Sequence, residues 1–205
     1  MSYNILELLT ISCSILEIGT LSKNINGWIE RSPCKYVGSW RTDIGTLGQL
    51  LVLRQFENLS RQMEEREKLL LHPDPFGCGE LIKGWKIETF RQFDFLPEIQ
   101  PRELGKVYEF REYLVRPYGI KPSVDAWQGA IEAARPYSDH LITNMYGLDG
   151  APRILHIWGF ESFEQRLSLR AEHYKNGTWP PKNGPVQIDQ ARTMIAFPEK
   201  HSPLC

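Results

Sequence analysis

Cysteine is scarce in this sequence, and its four copies follow no recognised spacing. Cys13, Cys34, Cys78 and Cys205 are scattered over 205 residues without a Cys-x-x-Cys pair. Structural zinc sites and disulfide frameworks both recur at characteristic intervals, so neither is expected and no metal site is predicted. Free thiols in a reducing compartment are the simplest interpretation, which makes the cytoplasm the expected location.

An excess of one charge is also missing. The 24 Lys and Arg residues nearly balance the 25 Asp and Glu residues, and no basic stripe runs along the chain. Binding to nucleic acid or to an anionic membrane depends on such a stripe, so neither partner is expected. The apolar residues 1–17 lack a basic start and are interrupted by Glu7 and Glu17. We therefore predict neither a signal peptide nor a membrane span.

The motifs of several large enzyme classes do not occur. G-x-G-x-x-G, the P-loop, G-x-S-x-G and H-E-x-x-H are all missing from the sequence. Because phosphate cradles, serine nucleophiles and zinc ligands are built on those arrangements, nucleotide-dependent, serine hydrolase and zinc protease functions are disfavoured. No cofactor is expected.

The most informative segment, residues 156–170, predicts a strand, a short turn and a helix. His156 and Trp158 share one face of the strand, because strand side chains alternate. Ser162 and Gln165 have the spacing of a capping box. Four apolar residues then recur at steps of three and four, which is typical of one helical face: Phe163, Leu167, Ala171 and Tyr174.

A cruder copy of this segment lies 104 residues earlier. Matching pairs include Leu50 with Ile154, Phe56 with Phe160, Glu57 with Glu161, Arg66 with Arg170, and Phe93 with Phe197. The first strands align at an offset of 102, which places Glu7 on Glu109. Hydrophobic periodicity gives both halves the order β-α-β-β-α-β. We therefore predict two ferredoxin-like repeats, residues 1–97 and 102–200, joined by a short linker.

Each predicted repeat can cover the sheet face that the other repeat leaves exposed. A four-stranded sheet with helices on one face leaves its other face uncovered. Two such units in one chain can cover each other by joining their sheets. We therefore predict an α+β fold in which two tandem repeats form one antiparallel barrel with the helices outside.

The segment Val-Tyr-Glu-Phe-Arg-Glu-Tyr (107–113) and residues 156–170 resemble the NIPSNAP family. The family pattern is roughly E-L-R-x-Y in the first strand, H-L-W-x-Y at a strand end, and two arginines four apart on the next helix. Arg166 and Arg170 match those arginines. The first half departs from the pattern: Leu9 stands where Arg111 stands, Val52 where His156 stands, Arg54 where Trp158 stands, and Gln62 where Arg166 stands.

The resemblance implies the dimeric α+β barrel fold, here made from two repeats of one chain. That superfamily includes small monooxygenases without a cofactor, haem-degrading enzymes, and dehydratases or decarboxylases acting on aromatic substrates. Most NIPSNAP members lack an assigned reaction.

Strand residues that face into the barrel are the predicted ligand contacts. Glu109, Arg111 and Tyr113 share one strand face, where Arg and Tyr can orient an anionic or enol oxygen and Glu can act as a base. The alternative is an ion pair with a neighbouring strand. Asn144 and Tyr146 share a face of a later strand and are candidates for hydrogen bonds to a substrate carbonyl. Their alternative is the surface of an edge strand.

His156 is the candidate general base, because imidazole titrates near neutral pH and its counterpart in the first half is apolar. The alternative is a core histidine bonded to the backbone. Trp158 is predicted to contact the substrate, although such aromatic residues more often form core. Arg166 and Arg170 lie on a helix, so we expect them outside the barrel, paired with Glu161 or with a partner chain.

The sequence therefore predicts a homo-oligomer that binds a small apolar or aromatic molecule in the barrel of its second half. Cofactor-independent oxygenation or isomerisation is the favoured reaction, with His156 as base and Arg111 and Tyr113 orienting the substrate. A non-enzymatic interaction protein and a haem-binding protein are the alternatives. A cavity of roughly several hundred Å³ with His156 or Arg111 on its wall would favour small-molecule binding.

Overall fold

The computed structural model describes residues 5–205. Within that range the chain runs through the order β-α-β-β-α-β twice, as predicted. The strands are β1 (Ile5–Ser12), β2 (Lys35–Ile44), β3 (Gln49–Phe56), β4 (Gly84–Gln92), β5 (Val107–Val115), β6 (Leu141–Gly147), β7 (Arg153–Phe160) and β8 (Ile188–Pro198). The helices are α1 (Ile18–Ile29), α2 (Leu59–Leu71), α3 (Ile120–Ala130) and α4 (Phe163–Lys175). The predicted start of the first strand, at Tyr3, lies outside the described residues.

These strands close into one antiparallel barrel in the order β1-β3-β2-β8-β5-β7-β6-β4. The first half supplies β1 to β4 and the second half supplies β5 to β8. The two halves are joined where β2 pairs with β8 and where β4 pairs with β6. Each half thereby covers the sheet edges that the other leaves unpaired. The predicted fold, two tandem repeats forming an α+β barrel, is confirmed.

Side-chain N-caps begin α2 and α4, and the cap of α4 at Ser162 is the one that the sequence predicts. Oδ1 of Asn58 accepts a hydrogen bond of 3.0 Å from the backbone N–H of Arg61 at the start of α2. Oγ of Ser162 accepts one of 3.2 Å from the N–H of Gln165 at the start of α4. Such caps satisfy N–H groups that have no partner inside the helix.

The inside of the barrel is an apolar core. Its members include Leu6, Trp40, Leu53, Phe90, Phe110, Met145 and Ile157. One end of the barrel is closed by two buried side chains, Ile99 from the segment between the halves and Leu204. The hydroxyl of Tyr108 donates a hydrogen bond to the carbonyl oxygen of Leu204 and fixes that closure. Each fully buried side chain of this kind stabilises the fold by about 1.5–3 kcal/mol.

The outer face of the sheet packs against the helices, and this face carries the predicted site residues. On β5, Phe110 belongs to the barrel core, whereas Glu109 points outward and bonds to α4. Arg111 shares the face of Glu109, because strand side chains alternate. His156 on β7 packs against Trp127 of α3. The prediction that these residues meet a ligand inside the barrel was wrong. The strand pattern shows which residues share a face but not which face becomes the inside.

Candidate functional site

A cavity of about 340 Å³ lies between the outer face of the sheet and α3 in the second half. Its walls come from β5, β7, β8, α3, α4 and the loop at residues 179–185. The lining residues include Arg111, Tyr113, Trp127, Ile154, Trp179 and Pro181. The volume falls within the range of small-molecule sites, roughly 300–1,000 Å³.

Arg111 supplies positive charge to the cavity wall. Its side chain is 20% exposed, and its Nε lies 3.9 Å from Oε1 of Glu109. Its guanidinium carbon lies 5.4 Å from the ring centre of Tyr113. Among residues 5–205, Nε of Arg111 has no hydrogen-bond partner. A guanidinium placed in this way can bind a planar oxygen anion through two N–H groups.

Glu109 lies behind Arg111, at the centre of a buried ion cluster. Its carboxylate accepts hydrogen bonds from Nη2 of Arg166 at 2.6 Å and from Nη2 of Arg170 at 3.0 Å. Burial alone would raise the pKa of Glu109, but the arginines outweigh burial and lower it. The two helix arginines therefore pair with Glu109, whereas the sequence predicted Glu161 or a partner chain as their partner. Because both carboxylate oxygens are occupied, Glu109 is poorly placed to act as a base.

His156 lies deeper than the cavity wall. Nε1 of Trp158 donates a hydrogen bond of 2.6 Å to Nδ1 of His156. An indole nitrogen can only donate, so Nδ1 is the acceptor and the ring proton is on Nε2. The imidazole packs against Tyr113 and Trp127, with ring centres 4.9 Å and 5.0 Å away. These two rings separate it from the cavity.

The environment of His156 keeps it uncharged. The residue is 2% exposed. Burial and the nearby cations of Arg111 and Arg170 lower the pKa of His156 well below its ordinary value. A neutral imidazole whose acceptor nitrogen is already bonded can donate but cannot take up a proton without losing that bond. This geometry favours a donor or positioning residue over the predicted general base.

Asn144 and Tyr146 lie on β6, away from the cavity lining. Asn144 is fully buried, so it is not on an exposed surface. It is the cross-strand partner of His156, and in residues 5–205 its amide group has no hydrogen-bond partner. The ring of Tyr146 lies 6.3 Å from that of Phe93. Neither side chain meets the cavity.

Trp158 is a core residue in this fold. Its indole stacks on the ring of Tyr137 at 4.5 Å, with the two planes 16° apart. Of the seven site residues predicted from the sequence, all within the described range, Arg111 and Tyr113 line the cavity. The other five form the layer behind it or the strand beside it.

The remaining walls of the cavity were not predicted as a site. Trp127, Trp179 and Pro180 line the cavity and are not among the site residues predicted from the sequence. A usable signal was present: Trp179-Pro180-Pro181 is an apolar cluster with no helix or strand pattern. Such a cluster has to pack on another surface to leave water. In this fold it packs over the sheet and completes the cavity.

The corresponding position in the first half belongs to an apolar cluster. Leu9 stands where the second half has Arg111 and belongs to an apolar cluster under α1. Phe76 of that cluster packs edge to face on Trp28 and on Trp85, with ring centres 4.7 Å and 5.3 Å apart. At this strand position the first half therefore has an apolar core residue, and the second half has a guanidinium on a cavity wall.

Comparison with known proteins shows which protein family the second half of the chain resembles. Residues 108–203 match the NIPSNAP family model. The chain carries a NIPSNAP domain. The match includes β5 from its second residue, the helix arginines and the loop over the cavity, so the resemblance noted in the sequence is confirmed.

The similarity to NipSnap proteins extends beyond this domain into the rest of the chain. NipSnap homolog 2 of Mus musculus is 25% identical over 84% of the chain, and that of Danio rerio is 23% identical over 84%. The NipSnap homolog of Dictyostelium discoideum is 26% identical over 73%. The chain spans about 64%, 63% and 68% of the length of these three relatives.

Solved structures share the complete barrel. A protein of Lactobacillus acidophilus NCFM, provisionally named a monooxygenase, aligns over 96% of this chain and 94% of its own, with a TM-score of 0.70 and 11% identity. An anthrone oxidase-like protein aligns over 98% and 94%, with a TM-score of 0.64 and 12% identity. At such low identity the likeness shows the fold alone. In the described part of the chain, every helix is too short or too polar to cross a membrane.

Proposed function

We propose that the NIPSNAP domain binds a small, largely apolar molecule in the cavity of the second half, and that Arg111 holds an oxygen anion of this molecule. The lining of the cavity carries the proposal, since aromatic and proline side chains surround one guanidinium. An apolar wall with a few polar groups is typical of small-molecule sites.

The local charge balance favours an anionic ligand. Arg111, Arg166 and Arg170 all lie within 4 Å of one carboxylate, that of Glu109. Three cations and one anion leave the cluster positive, and His156 adds no compensating charge. Hydrogen bonds to a charged group are worth about 1.5–3 kcal/mol, so the charge of Arg111 can contribute substantially to affinity.

The aromatic lining of the cavity favours a flat ligand. The indoles of Trp127 and Trp179 meet at 82° with ring centres 4.8 Å apart, and the ring of Tyr113 also lines the cavity. Aromatic rings stack favourably on such surfaces. A phenol or enol with one or two fused rings combines the required shape and oxygen.

The reaction that we propose for this ligand is cofactor-independent oxygenation or isomerisation, a class that the name of the anthrone oxidase-like neighbour supports. The cation of Arg111 lowers the pKa of a bound phenol or enol. The hydroxyl proton passes to solvent water, and the resulting anion is electron-rich at carbon. In isomerisation this carbon takes up a proton from water, and in oxygenation it reduces dioxygen, the second substrate, to a hydroperoxide bonded to that carbon. In this proposal Tyr113 orients the ring, and His156 supports the aromatic wall.

Fluorescence titration with 1-hydroxy-2-naphthoate tests the binding. Trp127 and Trp179 border the cavity, so we expect quenching on binding. Arg111→Leu installs the residue that the first half has as Leu9 and should weaken binding about tenfold or more. The exposed Arg116, which pairs with Asp189 at 3.5 Å, gives the control Arg116→Leu, with unchanged affinity. Equal affinity in the wild type and Arg111→Leu would contradict the proposal.

A separate observation supports self-association, which we propose as a second property of the chain. The same positions of α2 and α4 carry exposed apolar side chains: Leu59, Met63 and Leu70 on α2, and Phe163, Leu167 and Tyr174 on α4. Repetition of the stripe on both helices favours a symmetric homo-oligomer. Sedimentation velocity should show Met63→Glu/Leu167→Glu to be smaller than the wild type, whereas Glu132→Lys, away from both helices, should sediment unchanged.

A further inference from the structure

A second cavity, of about 280 Å³, lies at one end of the barrel and is separate from the cavity under α3. Its floor is formed by inward-facing residues of four strands: Leu8, Phe110, Leu155 and Met194. Ile99 and Leu204 close the opposite end of the barrel. A ligand of this cavity would therefore enter from one end and rest on the barrel core.

Charged side chains surround the mouth of this cavity, and all but one are paired. Glu88 lies 2.9 Å from Nζ of Lys86 and 3.2 Å from Nη2 of Arg153. Glu112 lies 3.8 Å from Nε of Arg153. Arg192 also lines the mouth and is exposed. Within residues 5–205 it makes no ion pair, although it is the cross-strand partner of Glu112.

We propose that the open end of the barrel binds an amphiphilic carboxylate of moderate chain length. Its apolar chain lies on Leu8, Phe110, Leu155 and Met194, and its carboxylate bonds to Arg192. The carboxylates of Glu88 and Glu112 form ion pairs with Arg153. Arg192 has no such partner, so its guanidinium is available to bind the ligand. A guanidinium binds a carboxylate through two parallel N–H groups.

This assignment is independent of the function proposed for the cavity under α3. The two cavities lie on opposite faces of the same sheet, since Arg111 points outward and Phe110 inward. A ligand of one site therefore touches neither the charged residue nor the apolar wall of the other. Variants of Arg111 and Arg192 can separate the two sites experimentally.

Methyl NMR of protein labelled at the methionine methyl carbons, titrated with octanoate, tests the proposal. The Met194 methyl should shift, because Met194 lines the cavity, while that of Met63 on the outer face of α2 should not. Arg192→Gln should weaken octanoate binding about tenfold or more and make it equal to the binding of octanol. Met194→Trp, which fills the cavity, should abolish the binding of both.

Arg111→Leu is the matched variant for the other cavity and should bind octanoate like the wild type. Three results would overturn the proposal: no shift at Met194 in the wild type, unchanged octanoate affinity in both Arg192→Gln and Met194→Trp, or loss of octanoate binding in Arg111→Leu alone. The last result would place octanoate under α3 instead. Urea unfolding of each variant establishes that it is folded.

Discussion

The indole nitrogen of Trp158 donates a hydrogen bond of 2.6 Å to Nδ1 of His156, so the tautomer of this buried histidine is determined by its neighbour. Both residues are unique to the second half, where the first has Val52 and Arg54. The pair keeps His156 neutral and holds it against the aromatic wall of the cavity. This arrangement leads to predictions that differ from those for a catalytic base.

The first prediction concerns the pH dependence of stability. The pKa of His156 in the folded chain lies well below its ordinary value of 6.5. Below pH 6.5 this histidine is therefore protonated in the unfolded chain but remains neutral in the folded chain. The free energy of unfolding therefore falls as the pH drops below 6.5 and is fully retained above it, with a slope of up to about 1.4 kcal/mol per pH unit. Urea unfolding of wild type and His156→Asn between pH 5 and 8 measures the difference.

His156→Asn keeps an acceptor near the position of Nδ1 but cannot titrate, so its stability should depend less on pH than that of the wild type. His72→Asn, at an exposed histidine, serves as the control and should keep the wild-type slope. Equal slopes in the wild type and His156→Asn would contradict a buried neutral histidine.

The second prediction concerns the ion cluster of Glu109. Glu109→Gln removes the charge shared by Arg166 and Arg170, so the free energy of unfolding should fall by about 3 kcal/mol. Because the folded pKa of Glu109 is lowered, its contribution is present above the ordinary Glu pKa and lost as the pH falls through the folded pKa. Glu64→Gln, in an exposed pair with Arg61, should cost less than about 1 kcal/mol. Similar losses in the two variants would argue against a stabilising cluster.

The third prediction concerns the first half, where Arg54 and Glu7 form an ion pair that is fully buried. In Arg54→Met the Glu7 carboxylate keeps, within residues 5–205, the hydrogen bond from Gln62, and the free energy of unfolding should fall by about 3–5 kcal/mol. Removing both charges, in Glu7→Leu/Arg54→Met, should cost less than the two single losses combined. Additive losses in this double-mutant cycle would contradict direct coupling.

Much of the fold could be predicted from the sequence, because the residues that match between the two repeats are residues that form the core. Phe56 and Phe160 occupy the same place in the two halves, and both are buried. The caps at Asn58 and Ser162 are local signals and need no tertiary information. The order of elements and the closure of two sheets into a barrel followed from these features.

The site could be predicted only in part. Alternation on β5 showed that Glu109, Arg111 and Tyr113 share a face, but both faces of a barrel strand are buried, so the pattern could not tell the inside from the outside. The pairing of Glu109 with Arg166 joins residues 57 positions apart and depends on how α4 lies on the sheet. That the loop around Trp179 forms a wall of the cavity could be seen only from the structure, because it depends on the position of the sheet beneath the loop.

The most direct test of the proposed function is a crystal structure with 6-bromo-1-hydroxy-2-naphthoate, recorded at the bromine absorption edge. We expect an anomalous peak in the cavity that Trp127 and Trp179 line, with the ligand's carboxylate or hydroxyl oxygen within about 3.2 Å of the Arg111 guanidinium. Crystals of Arg111→Leu grown and soaked identically should show a weaker peak or none. A bromine peak elsewhere on the molecule, or equal peaks in both proteins, would contradict the assignment of this cavity and of Arg111.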